Sequence, residues 1–460
     1  MKTTQQLLLA TLLSTGVTSA ATLSVKPGRS IQKAIQKASP GDTIEVYPGE
    51  YRESLVIDKP NIKLVGRIEN GAWPILNGEG KRNDGVIASG SGFQIEQFYI
   101  QRYKGNGVMT QGADNVVIRK LIVADTGIYG IYPTRGKHVL VEDTVSWGIA
   151  DAAIYIGMCD YVDVRRNEVF KNVAGIEIEN SRHALVEANL AYNNSSGILV
   201  FTLPGLPVKD GYDVVVRDNF VVANNHPNFG ADGSLVANVP AGSGMVLLAA
   251  DKVRIENNII RDNQSGGLLI SDLSYLAGAT APDAKVEPEF DDNEILQNLF
   301  FHNGYSPDAK VRLLLAATKF RLSSGDIVIS GKGKRNCLAT GLNAKAIGTQ
   351  EFKRCAAKAT TKDVTSFYAS RPVHAAPERE LGPGEKVYAT VCSGCHVQGL
   401  VRIGPAIEEI QKKYKNNPDG IVAFASQPKR VRPGFSEMPS QSYLGKKKLR
   451  AVAEFILGLH

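Results

Sequence analysis

The chain has 460 residues, too many for one ordinary core, so at least two domains are expected. With 43% hydrophobic and 22% charged residues it is globular material, which excludes a disordered chain, and its 45 glycines suit many tight turns. The formal net charge of +7 is unevenly placed: residues 381–460 hold 12 Lys and Arg against 6 Asp and Glu, and the remainder beyond Lys2 is balanced.

Residues 1–21 read as a secretory signal. Lys2 supplies the positive start, Leu7 to Leu13 the apolar run, and Thr18-Ser19-Ala20-Ala21 the small-residue cleavage zone. The run is too short to span a bilayer, so an exported protein, periplasmic or secreted, with no integral membrane segment after cleavage is expected. A short helix follows, opened by Ser30, with Ile31, Ala34, Ile35 and Ala38 on one face. Such a helix can cover the exposed strand edges at the end of a sheet stack.

A small residue followed by an aliphatic one recurs at Gly85-Val86, Gly107-Val108, Gly130-Ile131, Ala153-Ile154, Gly175-Ile176 and Gly197-Ile198, in steps of 22 or 23. It returns at Gly244-Met245 and Gly267-Leu268. Asn pairs five apart run out of phase with it, at Asn167/Asn172, Asn189/Asn194, Asn219/Asn224, Asn258/Asn263 and Asn298/Asn303. Asn tolerates left-handed backbone, and its amide can bond the equivalent amide one coil away. A period near 22 built of short strands is one turn of a parallel β-helix, expected over residues 22–355. The segment Ile31 to Tyr51, with Pro40-Gly41-Asp42-Thr43-Ile44 and Pro48-Gly49-Glu50-Tyr51, resembles the first coil of pectate-lyase-like and NosD-like right-handed β-helix proteins. That likeness specifies a fold and leaves the activity open.

Insertions at 203–211 and 225–243 both fall between Ile198 and Met245, so they are expected to leave one coil. Another, 274–292, ends in the acids Asp283, Glu287, Glu289, Asp291 and Asp292, which suit docking of the chain's own basic end. Asp143, Asp151, Asp160 and Asp163 lie in neighbouring coils and are candidates for a carboxylate cluster. Cys337 and Cys355 stand eighteen apart in an exported chain, which predicts a disulfide; Cys159, inside a repeat, reads as a buried small hydrophobe.

Periodicity stops over 356–381, where Thr, Ala, Pro and charged residues predict an extended linker. Residues 382–460 then show helical spacing and contain Cys392-Ser393-Gly394-Cys395-His396. Two thiols one helical turn apart can add to the two vinyl groups of a haem, and the adjacent His can bind its iron. No second Cys/His pair follows to complete a zinc site.

These surroundings resemble the class I c-type cytochromes. Gly384-Glu385-Lys386-Val387-Tyr388 is similar to that family's first helix, and Gly404-Pro405 to the loop whose Pro carbonyl orients the proximal His. The resemblance implies one covalent haem c on Cys392 and Cys395, iron ligands His396 and Met438, and an orienting role for Pro405. Met438 stands before Pro439 in a turn-like segment; His460, at the terminus, is a weaker candidate. Leu449, Val452, Phe455 and Ile456 mark a last helix that in the family crosses the first, near Val387 and Tyr388.

The resulting expectation is an exported electron carrier, relaying single electrons through a Met/His haem with no hydrolytic or lyase activity of its own. The β-helix then serves as scaffold or polysaccharide-binding module. A basic haem domain suits an acidic redox partner. The fused layout resembles a family of bacterial β-helix repeat proteins paired with diheme c-type cytochromes, which implies such a partner. The alternative is a carbohydrate-active β-helix enzyme, a lyase, epimerase or hydrolase, with an appended redox domain. An exported chain whose basic residues have no interleaved aromatics is not expected to bind nucleic acid.

Overall fold

The computed structural model describes residues 20–276, 283–317, 325–355 and 381–459, except 394, 400, 402–403, 432–436 and 439. The signal segment, the linker 356–380, Pro439 and His460 lie outside the described residues.

Residues 22–355 form a parallel β-helix of three sheets, with 13, 11 and 10 strands among the described residues. The paired strands are parallel, and each central coil adds one strand to each sheet. The repeated dipeptide is the register of the 11-stranded sheet: Val108, Ile131, Ile154, Ile176, Ile198, Met245 and Leu268 stand one above another. All are buried, and they fill the bore of the helix as one continuous core. A small residue must precede them because the next coil's backbone is there. A Cβ on Gly107 would lie 2.6 Å from the Gly130 carbonyl oxygen.

The Asn pairs form two hydrogen-bonded ladders. Asn167 Nδ2 donates to Asn189 Oδ1, which is followed by Asn219, Asn258 and Asn298 at 2.9–3.0 Å per step. Asn172, Asn194, Asn224, Asn263 and Asn303 do the same at the next corner. One expectation is corrected: the left-handed residue is the one before each Asn, as at Arg166, Ala188, Asp218 and Asn257 (φ 54, 53, 55 and 56°). The Asn itself turns its amide inward to satisfy the buried corner backbone.

The helix Ile31–Lys37, capped by Ser30, closes the first coil. The Cys337–Cys355 disulfide joins the last two strands of the 13-stranded sheet, as expected. Cys159 is fully buried, and burial pushes its thiol up to about 12, so it behaves as an inert core residue. The acids of the 274–292 insertion pair within the β-helix, which corrects the idea that they dock the basic end of the chain. Asp283 meets Lys209, Glu289 meets Lys334, and Asp291 and Asp292 both meet Arg335.

Strands Ala152–Gly157, Ala174–Glu179, Ser196–Phe201 and Gly266–Ser271 are buried at every position, so the 11-stranded sheet is covered on its outer face as well. The insertions and the helix Ala309–Ala317, through Val311 and Leu315, contribute to that cover, as does a small helical module at residues 383–457. In it the helix Pro383–Val387 crosses the helix Gly445–Leu457, as the sequence suggested. Val387 and Tyr388 pack on Val452 and Ile456, and a Cβ on Gly384 would strike the Ala451 carbonyl oxygen at 2.2 Å. Helical architecture alone does not mark the module as a cytochrome.

Candidate functional site

The short helix Pro383–Val387 runs directly into a wider turn, Tyr388–Cys392, which delivers the two thiols and the imidazole to one place. Cys392, Cys395, His396, Pro405 and Met438 all line one cavity, which encloses about 1360 Å³ of empty space including its mouth. Neither thiol is part of a disulfide, and burial pushes that of Cys392 up to about 12.

His396 is buried, and burial lowers its pKa against the opposing pull of the Pro405 carbonyl. Its Nδ1 lies 2.9 Å from the Pro405 oxygen. A carbonyl only accepts, so Nδ1 carries the proton and Nε2 keeps its lone pair. The imidazole is pressed onto Gly404, where a Cβ would meet Cε1 at 2.2 Å. Cys392, Cys395, His396, Pro405 and Met438 thus line one cavity, with the Pro405 oxygen against His396 Nδ1.

What sequence reasoning missed is the second wall. Beyond Cys392, Cys395, His396 and Met438 a further cavity is lined by Asp84, Asn106, Tyr129 and Tyr132 of the β-helix and by Tyr443 of the module. Val397, directly after the motif and fully buried, packs in one cluster with Met109, Tyr132, Leu203 and Leu206. Gln111 Nε2 donates to the Tyr443 hydroxyl at 3.2 Å, and Lys104 approaches Glu437 at 3.7 Å. Only the burial of every residue in the strand Val108–Gln111, a departure from alternation, could have signalled this contact.

Asp84 is the titratable group of this wall. Burial pushes its carboxyl up to about 6, although the backbone and side-chain amides of Asn106 both donate to it at 2.8 Å. Burial also raises the Tyr443 phenol, which therefore stays protonated at neutral pH. The expected Asp143/Asp151/Asp160/Asp163 cluster does not form. Asp143 is bound to Arg166, Asp160 to Arg182 and Asp163 to Arg165, while Asp151 lines a separate cavity.

Residues 40–204 match the family model described as periplasmic copper-binding protein (NosD), and residues 152–279 match the right-handed β-helix region model. No curated protein matches the chain. Among solved structures, the chain is similar to the mannuronan C-5 epimerase AlgE4 A-module of Azotobacter vinelandii (14% identity, TM-score 0.47, covering 67% of this chain and 87% of that one). It is also similar to an alginate lyase from Paenibacillus sp. (15%, 0.46, 62% and 99%) and to pectate lyase Pel9A (12%, 0.38, 74% and 79%). At these identities the likeness concerns the fold only. The chain therefore carries a right-handed parallel β-helix domain with a NosD-like segment.

The expectation of an electron carrier with the β-helix as scaffold is corrected by these findings. Both family models fall on the β-helix and neither on the module. The β-helix also supplies Asp84 and two tyrosines to the cavity beside the Cys-x-x-Cys-His motif. The alternative, a working β-helix with an appended module, is the better account.

Proposed function

We propose that this chain is a carbohydrate-active β-helix protein, acting by proton abstraction on a uronate polymer, with a haem-carrying module appended. The observation that carries this proposal is the jointly walled cavity, in which Asp84 stands with Tyr129, Tyr132 and Tyr443. A carboxyl poised at about 6 can take a proton and return it at neutral pH, and a buried phenol can serve as its acidic counterpart. That pairing suits a lyase or epimerase better than a hydrolase, which needs two carboxyls flanking the bond.

The module's residues fit a covalent haem. Cys392 and Cys395 would hold it through their sulfurs, and His396 and Met438 would be the two protein ligands. The macrocycle fills the other four positions on iron, so no larger protein cluster is needed. When bound, the group supplies one-electron exchange. The signal-like start, the disulfide and the periplasmic description of the matched family support export. Among the described residues no group of three or more His, Cys, Asp or Glu is placed to hold a metal ion, so that family's copper binding is not carried over.

The test is incubation of haem-loaded protein with uronate and neutral polysaccharides, followed by absorbance of unsaturated product and by proton exchange at the uronate carbon. Wild type is expected to act on a uronate polymer, and Asp84→Asn to lose about 100-fold or more. Equal activity of Asp84→Asn rejects the assignment.

A further inference from the structure

A parallel sheet is ordinarily covered on both faces. The outer face of the 10-stranded sheet is open among the described residues: in Leu190–Tyr192, Phe220–Val222 and Leu299–Phe301 only the central residue is buried. Over the six strands from Val145–Trp147 to Leu299–Phe301, ten of the twelve outward residues are aliphatic or aromatic. Leu190, Phe220, Leu299 and Phe301 are 38%, 50%, 51% and 47% exposed. A contiguous apolar patch of this kind marks an interaction site.

The face has a knob beside a hole. Trp147, Phe170 and Tyr192 stack ring on ring in register, at 5.6 and 5.1 Å. The stack stops at Val222, and an open hollow follows, lined by Leu190, Tyr192, Asn193, Val222, Ala223 and Asn225. Phe220 projects from the strand that supplies Val222. A two-fold axis satisfies both features at once, because each copy then fills the other.

The charges agree with that symmetry. Place the axis along the strands, between Leu190–Tyr192 and Phe220–Val222. Those two strands then face each other across the copies, Val145–Trp147 faces Leu299–Phe301, and Glu168–Phe170 faces Ile259–Arg261. The two charged residues among the twelve, Glu168 and Arg261, are opposite in sign and fall on facing strands. Glu168 accepts one hydrogen bond from the Tyr192 hydroxyl, and Arg261 gives its Nε–H to Asp262. A carboxylate and a guanidinium each have capacity for more.

We infer that this face pairs with a second copy of the chain about a two-fold axis, Phe220 of each copy entering the hollow of the other. Twelve outward residues a side fall below the roughly 20–30 of a standard interface, so association is expected at about micromolar concentration. None of the twelve lines the cavity of the proposed reaction, so the inference stands apart from that proposal.

The experiment is sedimentation velocity of the full-length folded protein from about 1 to 200 μM. A monomer–dimer equilibrium is expected, and Phe220→Lys abolishes it. Glu168→Arg and Arg261→Glu each weaken it about tenfold or more, since like charges then meet, and the double variant regains it. Leu313→Lys, at a 72% exposed leucine on the helix Ala309–Ala317, leaves it unchanged. A monomer throughout, dimerisation undiminished by Phe220→Lys, equal loss in Leu313→Lys, or a double variant that stays weak overturns the inference. If Phe220→Lys fails to fold, Glu168→Arg decides: unchanged association there overturns it.

Discussion

Gln111 and Tyr443, separated by 332 positions in the chain, are joined by a 3.2 Å hydrogen bond from the Gln111 amide to the Tyr443 hydroxyl. That bond ties the outer face of the β-helix to the module that carries Cys392 and His396. Val397 completes the seam by inserting into the apolar cluster of the insertions. Val397→Asp would bury a charge there, at a cost of several kcal/mol. Amide hydrogen exchange in the seam strand Val108–Gln111 is expected to speed up at least tenfold in that variant, while Tyr443→Phe changes it only a few-fold.

Asp84 also sets a pH dependence. Its folded pKa of about 6 exceeds the ordinary 3.8, so the folded state holds the proton more tightly. The stability it contributes is full below about 4 and is lost as pH rises through about 6. Asp163 and Asp251, also pushed up to about 6 by burial, act in the same window. Asp84→Asn should therefore gain on wild type between pH 4 and pH 7, by up to about 3 kcal/mol. Thermal unfolding of both proteins across that range checks it; a constant difference contradicts it.

The Asn ladders carry a stability prediction. Asn219 accepts from Asn189 through both its backbone and side-chain N–H, and donates to the Val186 carbonyl and to Asn258. Asn219→Ala leaves several buried polar groups unmet, at about 2–4 kcal/mol. Denaturant unfolding should show that loss, whereas Asn193→Ala, half-exposed one corner away, should cost far less.

Much of this architecture was legible in the sequence, because a β-helix repeats its physics every coil. Gly107 and Gly130 mark where the next backbone passes, and Asn167 through Asn298 mark one buried corner. The local chemistry of Cys392, Cys395, His396 and Pro405 was legible too, since all fall within fourteen residues. Asp84 was not. It looks like an ordinary turn residue, and its raised pKa comes from burial, in a cavity wall it shares with Tyr443, more than 300 residues later in the chain. The salt partners of Asp283, Asp291 and Asp292 were equally hidden, because each is one or more coils away.

Gly404 gives a local test of the motif. A Cβ there overlaps the His396 ring, so Gly404→Ala must turn the imidazole away from the Pro405 carbonyl. Covalent haem incorporation on co-expression with a maturation system, read as the pyridine haemochrome, is expected to fall severalfold. Cys392→Ala with Cys395→Ala should abolish it.

The central claim is that the cavity shared by the β-helix and the module is where chemistry on a uronate polymer occurs. The most direct measurement is solvent deuterium incorporation at the uronate carbon, compared between wild type and Asp84→Asn on a panel of uronate polymers. Incorporation by wild type on at least one polymer, lost about 100-fold in Asp84→Asn, is the result predicted. No incorporation on any polymer, or equal incorporation by Asp84→Asn, contradicts it.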